Sequence, residues 1–272
     1  MKTKTNFTAI LVATTLISFN SCKKEEDKPD PASTPKPVVT LTELGLNNTK
    51  TGYIGSDLHI EADIVAEGVI NTVKIEIHPE GAGATWTFEQ TYTEFSGMKN
   101  ATFHKHIDIP STATAGEHHF HLIVTDMIGN TTTAESELDI RQPTDAVSPQ
   151  ITVASHPLDS QAFSTGDTIK ISGTITDDRS LGGINIALVR TDQSLSDADV
   201  TADNTITLLH NHDFPASTSY AFSKEIIVGA STDNDITPDL ITWTPGTYYI
   251  LVKCKDAEGN WTYSTHYIIV IN

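Results

Sequence analysis

The feature that most limits what this chain can fold into is a strand pattern that occurs twice. In the first half Leu58, Ile60, Ala62 and Ile64 alternate with other residues, and Val73, Ile75 and Ile77 then do the same. In the second half Ile169, Ile171, Gly173 and Ile175 are followed, at the same intervals, by Ile184, Ile186 and Leu188. Such alternation sends every second side chain to one face of a strand, and helical periodicity is absent from Val38 onward. Two matching stretches per half mean tandem duplication of an all-β unit. Each unit spans roughly 100 to 125 residues with about seven strands, the size of a two-sheet β-sandwich. With 38% apolar residues the chain can fill such cores.

The N-terminus carries an address. Met1-Lys2-Thr3-Lys4 precedes an apolar run from Phe7 to Phe19 and then Asn20-Ser21-Cys22. This reads as a secretory signal peptide over residues 1–21, its apolar run of about 13 residues being too short for a permanent membrane span. A small residue before Cys after such a run resembles the lipobox of bacterial lipoproteins, although Phe19 and Asn20 depart from the commonest pattern. The resemblance implies lipidation of Cys22, with the membrane as partner through that lipid. The acidic cluster Glu25-Glu26-Asp27 resembles the surface-export signal of Bacteroidota lipoproteins, which implies an outer-membrane anchor facing the cell exterior. Residues 22–37 continue into a Pro-rich spacer, KPDPASTPKP, that forms neither helix nor central strand.

Further matches tie the halves together. The run from Gly116 to Asn130, GEHHFHLIVTDMIGN, is in step throughout with Gly246 to Asn260, GTYYILVKCKDAEGN. Gly opens the strand, and Asp with Gly and Asn closes it in a tight hairpin. The second copy resembles strand F and the F–G turn of bacterial immunoglobulin-like and fibronectin-like surface modules. The first departs from it, with His118 and Leu122 in place of Tyr248 and Val252. The chain as a whole resembles Bacteroidota surface lipoproteins grouped as a domain of unknown function. That resemblance covers most of residues 38–272 and implies two tandem Ig-like domains at the cell surface, and no activity. The linker RQPTDAVSP divides them into a His-rich domain, residues 38–142, and a second domain, 143–272. The second carries two long loops, Thr191–Ser219 and Ala230–Pro245, of the kind that bind something or lack order.

Seven of eleven histidines lie in the first domain: His59, His78, His104, His106, His118, His119 and His121. Parity places His118 inward and His119 and His121 outward, with Glu76 and His78 outward on strand C, the antiparallel neighbour of strand F in this topology. Two His one residue apart project from one face roughly 7 Å apart, and a third from the adjoining strand completes three legs of a tetrahedron. His78, His119 and His121 are therefore the leading metal candidates, with Glu76 or Glu117 as a further partner. Imidazole suits Zn(II), Cu(II) or Ni(II). The alternative is a solvated polar sheet face.

On the other sheet His59, Glu61 and Asp63 of strand B face outward, as do His104, His106 and Asp108 of strand E. Antiparallel pairing of His59 with Asp108, Glu61 with His106 and Asp63 with His104 gives complementary cross-strand pairs, or a weaker second metal or pH-sensitive cluster. His210-Asn211-His212 is an isolated H-x-H on the insertion, a minor candidate for metal binding. Asp197, Asp199 and Asp203, and Asp233, Asp235 and Asp239, are spaced like calcium ligands but lack the Gly and Glu of an EF-hand loop. Trp86, Tyr92, Trp243, Tyr249 and Trp261 offer platforms for sugars or sites for a sandwich core.

A formal net charge of −18 repels phosphate backbones, which excludes nucleic acid as a partner. No phosphate loop, H-E-x-x-H, G-x-S-x-G or C-x-x-C occurs in the sequence. The expectation is a non-catalytic surface lipoprotein that binds a divalent transition metal and serves an outer-membrane transporter. The competing class is an adhesion module for extracellular glycan or protein.

Overall fold

The computed structural model describes residues 34–81, 83–202, 204–214, 216–230 and 243–272. Residues 1–33, with the expected signal peptide, Cys22 and most of the spacer, lie outside them, as do Asp203, Asp233, Asp235 and Asp239. Among the described residues no helix is long and apolar enough to cross a membrane.

The chain forms two β-sandwiches in succession. The first contains β1 (Val38–Leu44), β2 (Thr51–Tyr53), β3 (Asp57–Val65), β4 (Ile70–Pro79), β5 (Phe88–Tyr92), β6 (Asn100–Asp108), β7 (Gly116–Asp126) and β8 (Thr131–Arg141). The second contains β9 (Gln150–Ser155), β10 (Gln161–Phe163), β11 (Thr168–Thr176), β12 (Leu181–Arg190), β13 (Ile206–Asn211), β14 (Ser219–Ile227), β15 (Gly246–Asp256), β16 (Trp261–Tyr263) and β17 (Tyr267–Ile271). In each, a three-stranded sheet, β1-β3-β6 or β14-β11-β9, faces a larger one, β2-β8-β7-β4-β5 or β10-β17-β15-β12-β13 with β16 on β15. This is the immunoglobulin-like arrangement, and the all-β tandem expectation holds.

The alternation explains the cores. Leu58, Ile60, Ala62 and Ile64 of β3 meet Val73, Ile75 and Ile77 of β4 across the first sandwich, all at 1% exposure or less. Ile169, Ile171 and Ile175 of β11 meet Ile184, Ile186 and Leu188 of β12 in the second. Cys254 lies inward on β15, a free thiol whose pKa burial pushes up to about 12.

The repeated Asp-x-x-Gly-Asn turn proves to be a latch as well as a hairpin. Asp126 Oδ1 accepts from the Ile128 and Asn130 amides, and Asp256 Oδ1 from those of Glu258 and Asn260. The Asn side chain then reaches the chain entering its own domain: Asn130 Nδ2 donates to Thr34 O at 3.3 Å and Asn260 Nδ2 to Asp145 O at 3.1 Å. Two residues on, Thr132 Oγ1 donates to Pro37 O and Thr262 Oγ1 to Pro149 O, both at 2.6 Å. The motif therefore seats the first strand of each sandwich.

Part of the long insertion, expected to bind something or to lack order, is also structural. Residues after β12 fold back over the outer face of their own sheet, where Val200 packs on Ala187, Val189, Tyr249 and Leu251. In the first domain the equivalent face carries Lys74, Glu76, His119 and His121 and needs no cover. The apolar residues of the copy force one. Trp86 and Tyr92 are core residues of the first sandwich, and Tyr249 lies beneath the insertion with its ring 3.9 Å from that of His266.

Candidate functional site

The outward faces of the first domain carry the histidines where parity puts them, but with different consequences on the two sheets. On the larger sheet β4 pairs with β7 so that His78 opposes His119 and Glu76 opposes His121. The same two β7 residues face Glu137 and Glu135 of β8 on their other side. His78 Nε2 approaches His121 Nε2 at 3.1 Å. His119 is drawn elsewhere: its Nδ1 lies 3.5 Å from Glu137 Oε1, and its ligand atom groups with those of Glu80 and Glu137. Glu76 is held by Lys74, Nζ to Oε1 at 2.5 Å. The face thus offers a histidine pair and a separate His-Glu-Glu group, all open to solvent. His118 points inward at 0% exposure, its Nδ1 donating to Gly116 O, and it packs edge-on against Trp86.

On the smaller sheet the register differs from the expected one by two residues. His59 of β3 opposes His106 of β6, Glu61 opposes His104 and Asp57 opposes Asp108. A two-residue slip keeps every side chain on its face, so alternation alone does not exclude it. The consequence is that His59, His104 and His106 cluster, with ring centroids 5.0 to 5.2 Å apart.

The second domain covers one part of this cluster: His59 is buried at 4% exposure, while His104 and His106 stay open to solvent. His212, just beyond β13, lies against the same three rings, and His210 at the end of β13 lies against His104 and His106. His212 is 3.9 Å from His59 and 5.1 Å from His104, centroid to centroid, and His210 is 5.7 Å from His104. The H-x-H of the insertion, read from sequence as isolated, is the second half of a site built by both domains. One ligand atom from each of His59, His104, His106 and His212 lies within 4.8 Å of the other three. His104 Nε2 and His106 Nε2 are 3.3 Å apart, about the separation of two ligands on a tetrahedral ion with bonds of ~2.05 Å.

The electrostatics favour the neutral form of His59, His210 and His212. Burial, followed by the neighbouring His212, lowers the His59 pKa to about 2. Burial and then His106 lower those of His210 and His212 to about 3 and about 4. Glu43 Oε1 lies 3.3 Å from His59 Nδ1 without hydrogen-bond geometry, and neither ring nitrogen of His59 has a hydrogen-bond partner. His212 Nδ1 is likewise buried without a partner. Unsatisfied buried nitrogens cost stability unless something takes their lone pairs, and a cation does so.

His106 is oriented from behind. Its Nδ1 donates to Asp57 Oδ2 at 2.5 Å, which leaves Nε2 as the lone-pair nitrogen facing His104. Burial alone would raise the Asp57 carboxyl, but the Lys255 ammonium and the His106 contacts outweigh it and hold the group well below the usual carboxylate range. Lys255 of β15 donates to Asp57 Oδ1 from the other domain. A carboxylate behind an imidazole is the arrangement that fixes a metal ligand's tautomer. The sequence reading missed Asp57, Lys255 and the role of His212. The available signal was two H-x-H motifs, at His104/His106 and His210/His212, each sending two rings to one side of the chain.

Fold and site together define a tandem Ig-like module with a histidine cluster where its two domains meet. The chain belongs to the family described as Domain of unknown function (DUF4625), which matches residues 20–141 and again 141–271. No curated protein matches it. Among solved structures it is similar to the fibronectin(III)-like modules of Clostridium thermocellum CbhA, at 13% identity and TM-score 0.27 over 86% of this chain and 93% of that one. It is also similar to the N-terminal Ig1-2 module of the Drosophila receptor protein tyrosine phosphatase DLAR, at 10% identity and TM-score 0.36 over 88% and 100%. Dimeric latent PorU from Porphyromonas gingivalis matches at 11% identity and TM-score 0.32 over 92% of this chain and 21% of that one.

Proposed function

We propose that this protein is a non-catalytic binding module that holds one divalent transition-metal ion between its two sandwiches, through His59, His104, His106 and His212. The observation that carries the reading is the convergence of four imidazoles, one atom each within 4.8 Å, around a His59 whose ring nitrogens have no hydrogen-bond partner. Four neutral nitrogen donors suit Zn(II), Cu(II) or Ni(II) rather than calcium or magnesium. With four protein ligands no position stays open for substrate, which favours holding over hydrolysis. The exposed sheet face supports a second, open position of lower affinity, favoured by the 3.1 Å approach of His78 Nε2 to His121 Nε2. Lipidation at Cys22 would display the module on the outer membrane, where a transporter is the partner that metal cargo requires.

The test is calorimetric titration of the metal-stripped full chain with Zn(II), Cu(II) and Ni(II). A His104→Ala/His106→Ala variant is expected to lose the tight one-to-one site, and a His119→Ala/His121→Ala variant to keep it. Loss confined to the second variant would move the site to the sheet face. Weak heats that are equal in all three proteins would remove the metal reading altogether.

A further inference from the structure

The four-histidine set is divided between domains, and little else joins them. His59 and the pair His104/His106 belong to β3 and β6 of the first sandwich, while His210 and His212 belong to the second. Every buried residue of the first apolar core lies at or before Ile140, and every one of the other cores at or after Phe163. Among the described residues no apolar cluster and no backbone hydrogen bond crosses the joint. What crosses is polar: the Lys255–Asp57 ion pair, Asn47 Nδ2 donating to Phe214 O at 3.3 Å, the close approach of Gly259 to Ser56, and the histidine rings. Two clefts of about 630 and about 550 Å³ border this contact, and Ser56, Asp57, His106, His212 and Lys255 line both. A joint of this kind leaves relative domain motion as the default.

The place where it can bend is narrow. Arg141 ends β8, and from Thr144 onward the linker is already fastened to the second domain. The Glu258 carboxylate accepts from the Thr144 and Asp145 amides, Arg179 Nη1 donates to Thr144 Oγ1, and Asn260 holds Asp145 O. Only Gln142 and Pro143 lie between the two anchored stretches.

We propose that metal occupancy sets the arrangement of the two domains: the ion is taken by the histidines of the first, and His212 of the second closes the set, locking a hinge at Gln142–Pro143. This rests on the metal reading of the same site. The metal-bound chain has one inter-domain geometry. The metal-free chain samples several, because its joint retains only an ion pair, a few polar contacts and rings with unsatisfied nitrogens. A ligand shifts such an equilibrium only by binding one arrangement better, and a coordination bond available in the closed form alone supplies that difference. Both clefts, walled by both domains, are then assembled when metal binds.

Small-angle scattering of the full chain, stripped with chelator and then titrated with Zn(II), tests this beside calorimetry on the same samples. The radius of gyration is expected to fall and level off at one equivalent. In His212→Ala calorimetry still reports Zn(II) binding, weakened, while the compaction is lost. Binding to the wild-type chain with no change in scattering would overturn the locked joint and leave the metal site standing. Absence of binding would overturn both. Equal compaction in His212→Ala would show that the second domain's histidine is not the closing ligand.

Discussion

Asp57 does the most with one side chain. Its carboxylate accepts from His106 on one oxygen and from Lys255 on the other, so it fixes the His106 tautomer and ties the domains at once. Asp57→Asn keeps the shape but removes the charge that both partners need. Metal affinity is expected to fall about 10- to 100-fold, the usual effect of losing a partner behind a ligating histidine. Titration calorimetry reads the loss, and an unchanged far-ultraviolet spectrum shows that the fold survives. An unaltered affinity would mean that His106 is not a ligand.

At the scale of elements, the two copies differ in what their outer sheet faces demand. β4 and β7 present charged and imidazole side chains that water can solvate, whereas β12 and β15 present Ala187, Val189, Tyr249 and Leu251, which the insertion covers. Val200 is the insertion's plug, at 0% exposure. Val200→Asp puts an unpaired carboxylate there and is expected to cost at least about 3 kcal/mol of second-domain stability. Thermal unfolding would show one transition lowered, with that of the first sandwich in place. A uniform shift of both would mean that the sandwiches do not unfold independently. The same insertion also supplies β13, which carries His210 to the joint. One stretch of chain thus caps a sheet and completes the candidate site.

At the scale of the whole molecule, the joint is expected to respond to acid as well as to the proposed metal. Burial lowers the pKa values of His59, His210 and His212 from the ordinary 6.5 to about 2, about 3 and about 4. Once solvated they regain values near 6.5, so the open or unfolded form binds more protons than the closed one whenever the pH is below 6.5. Their contribution to closure is present above that pH and is lost progressively as pH falls. At about pH 5 the cost is about 2 kcal/mol for each ring still held neutral. Whatever closed arrangement the metal-free chain samples near neutral pH should therefore be depopulated between about pH 6.5 and pH 5. Fluorescence of Trp261, which lines one of the clefts beside Lys253 and Lys255, or scattering, would follow it. Bound metal is expected to move the transition to lower pH, since protons must displace the ion. A metal-free joint that stays closed at pH 5 would contradict this.

Much of this molecule is local and was legible in the order of residues. Alternation at Leu58–Ile64 and Ile169–Ile175, repeated with equal spacing, dictates paired sandwiches because burial of one strand face depends only on side-chain parity. The Asp-x-x-Gly-Asn turns follow from hydrogen bonds within five residues. Parity also assigned His59, His104 and His106 to one face and His78, His119 and His121 to another. It left open the register between β3 and β6, since a slip of two residues moves no side chain through the sheet. Nor did it show that His59, facing outward from its own sandwich, is buried beneath another. That burial, the meeting of His212 with His59, and the bond from Lys255 to Asp57 depend on how two independently cored domains lie against each other. Contacts between residues some 150 to 200 positions apart leave no periodic trace in a single sequence, and only the tertiary structure decided them.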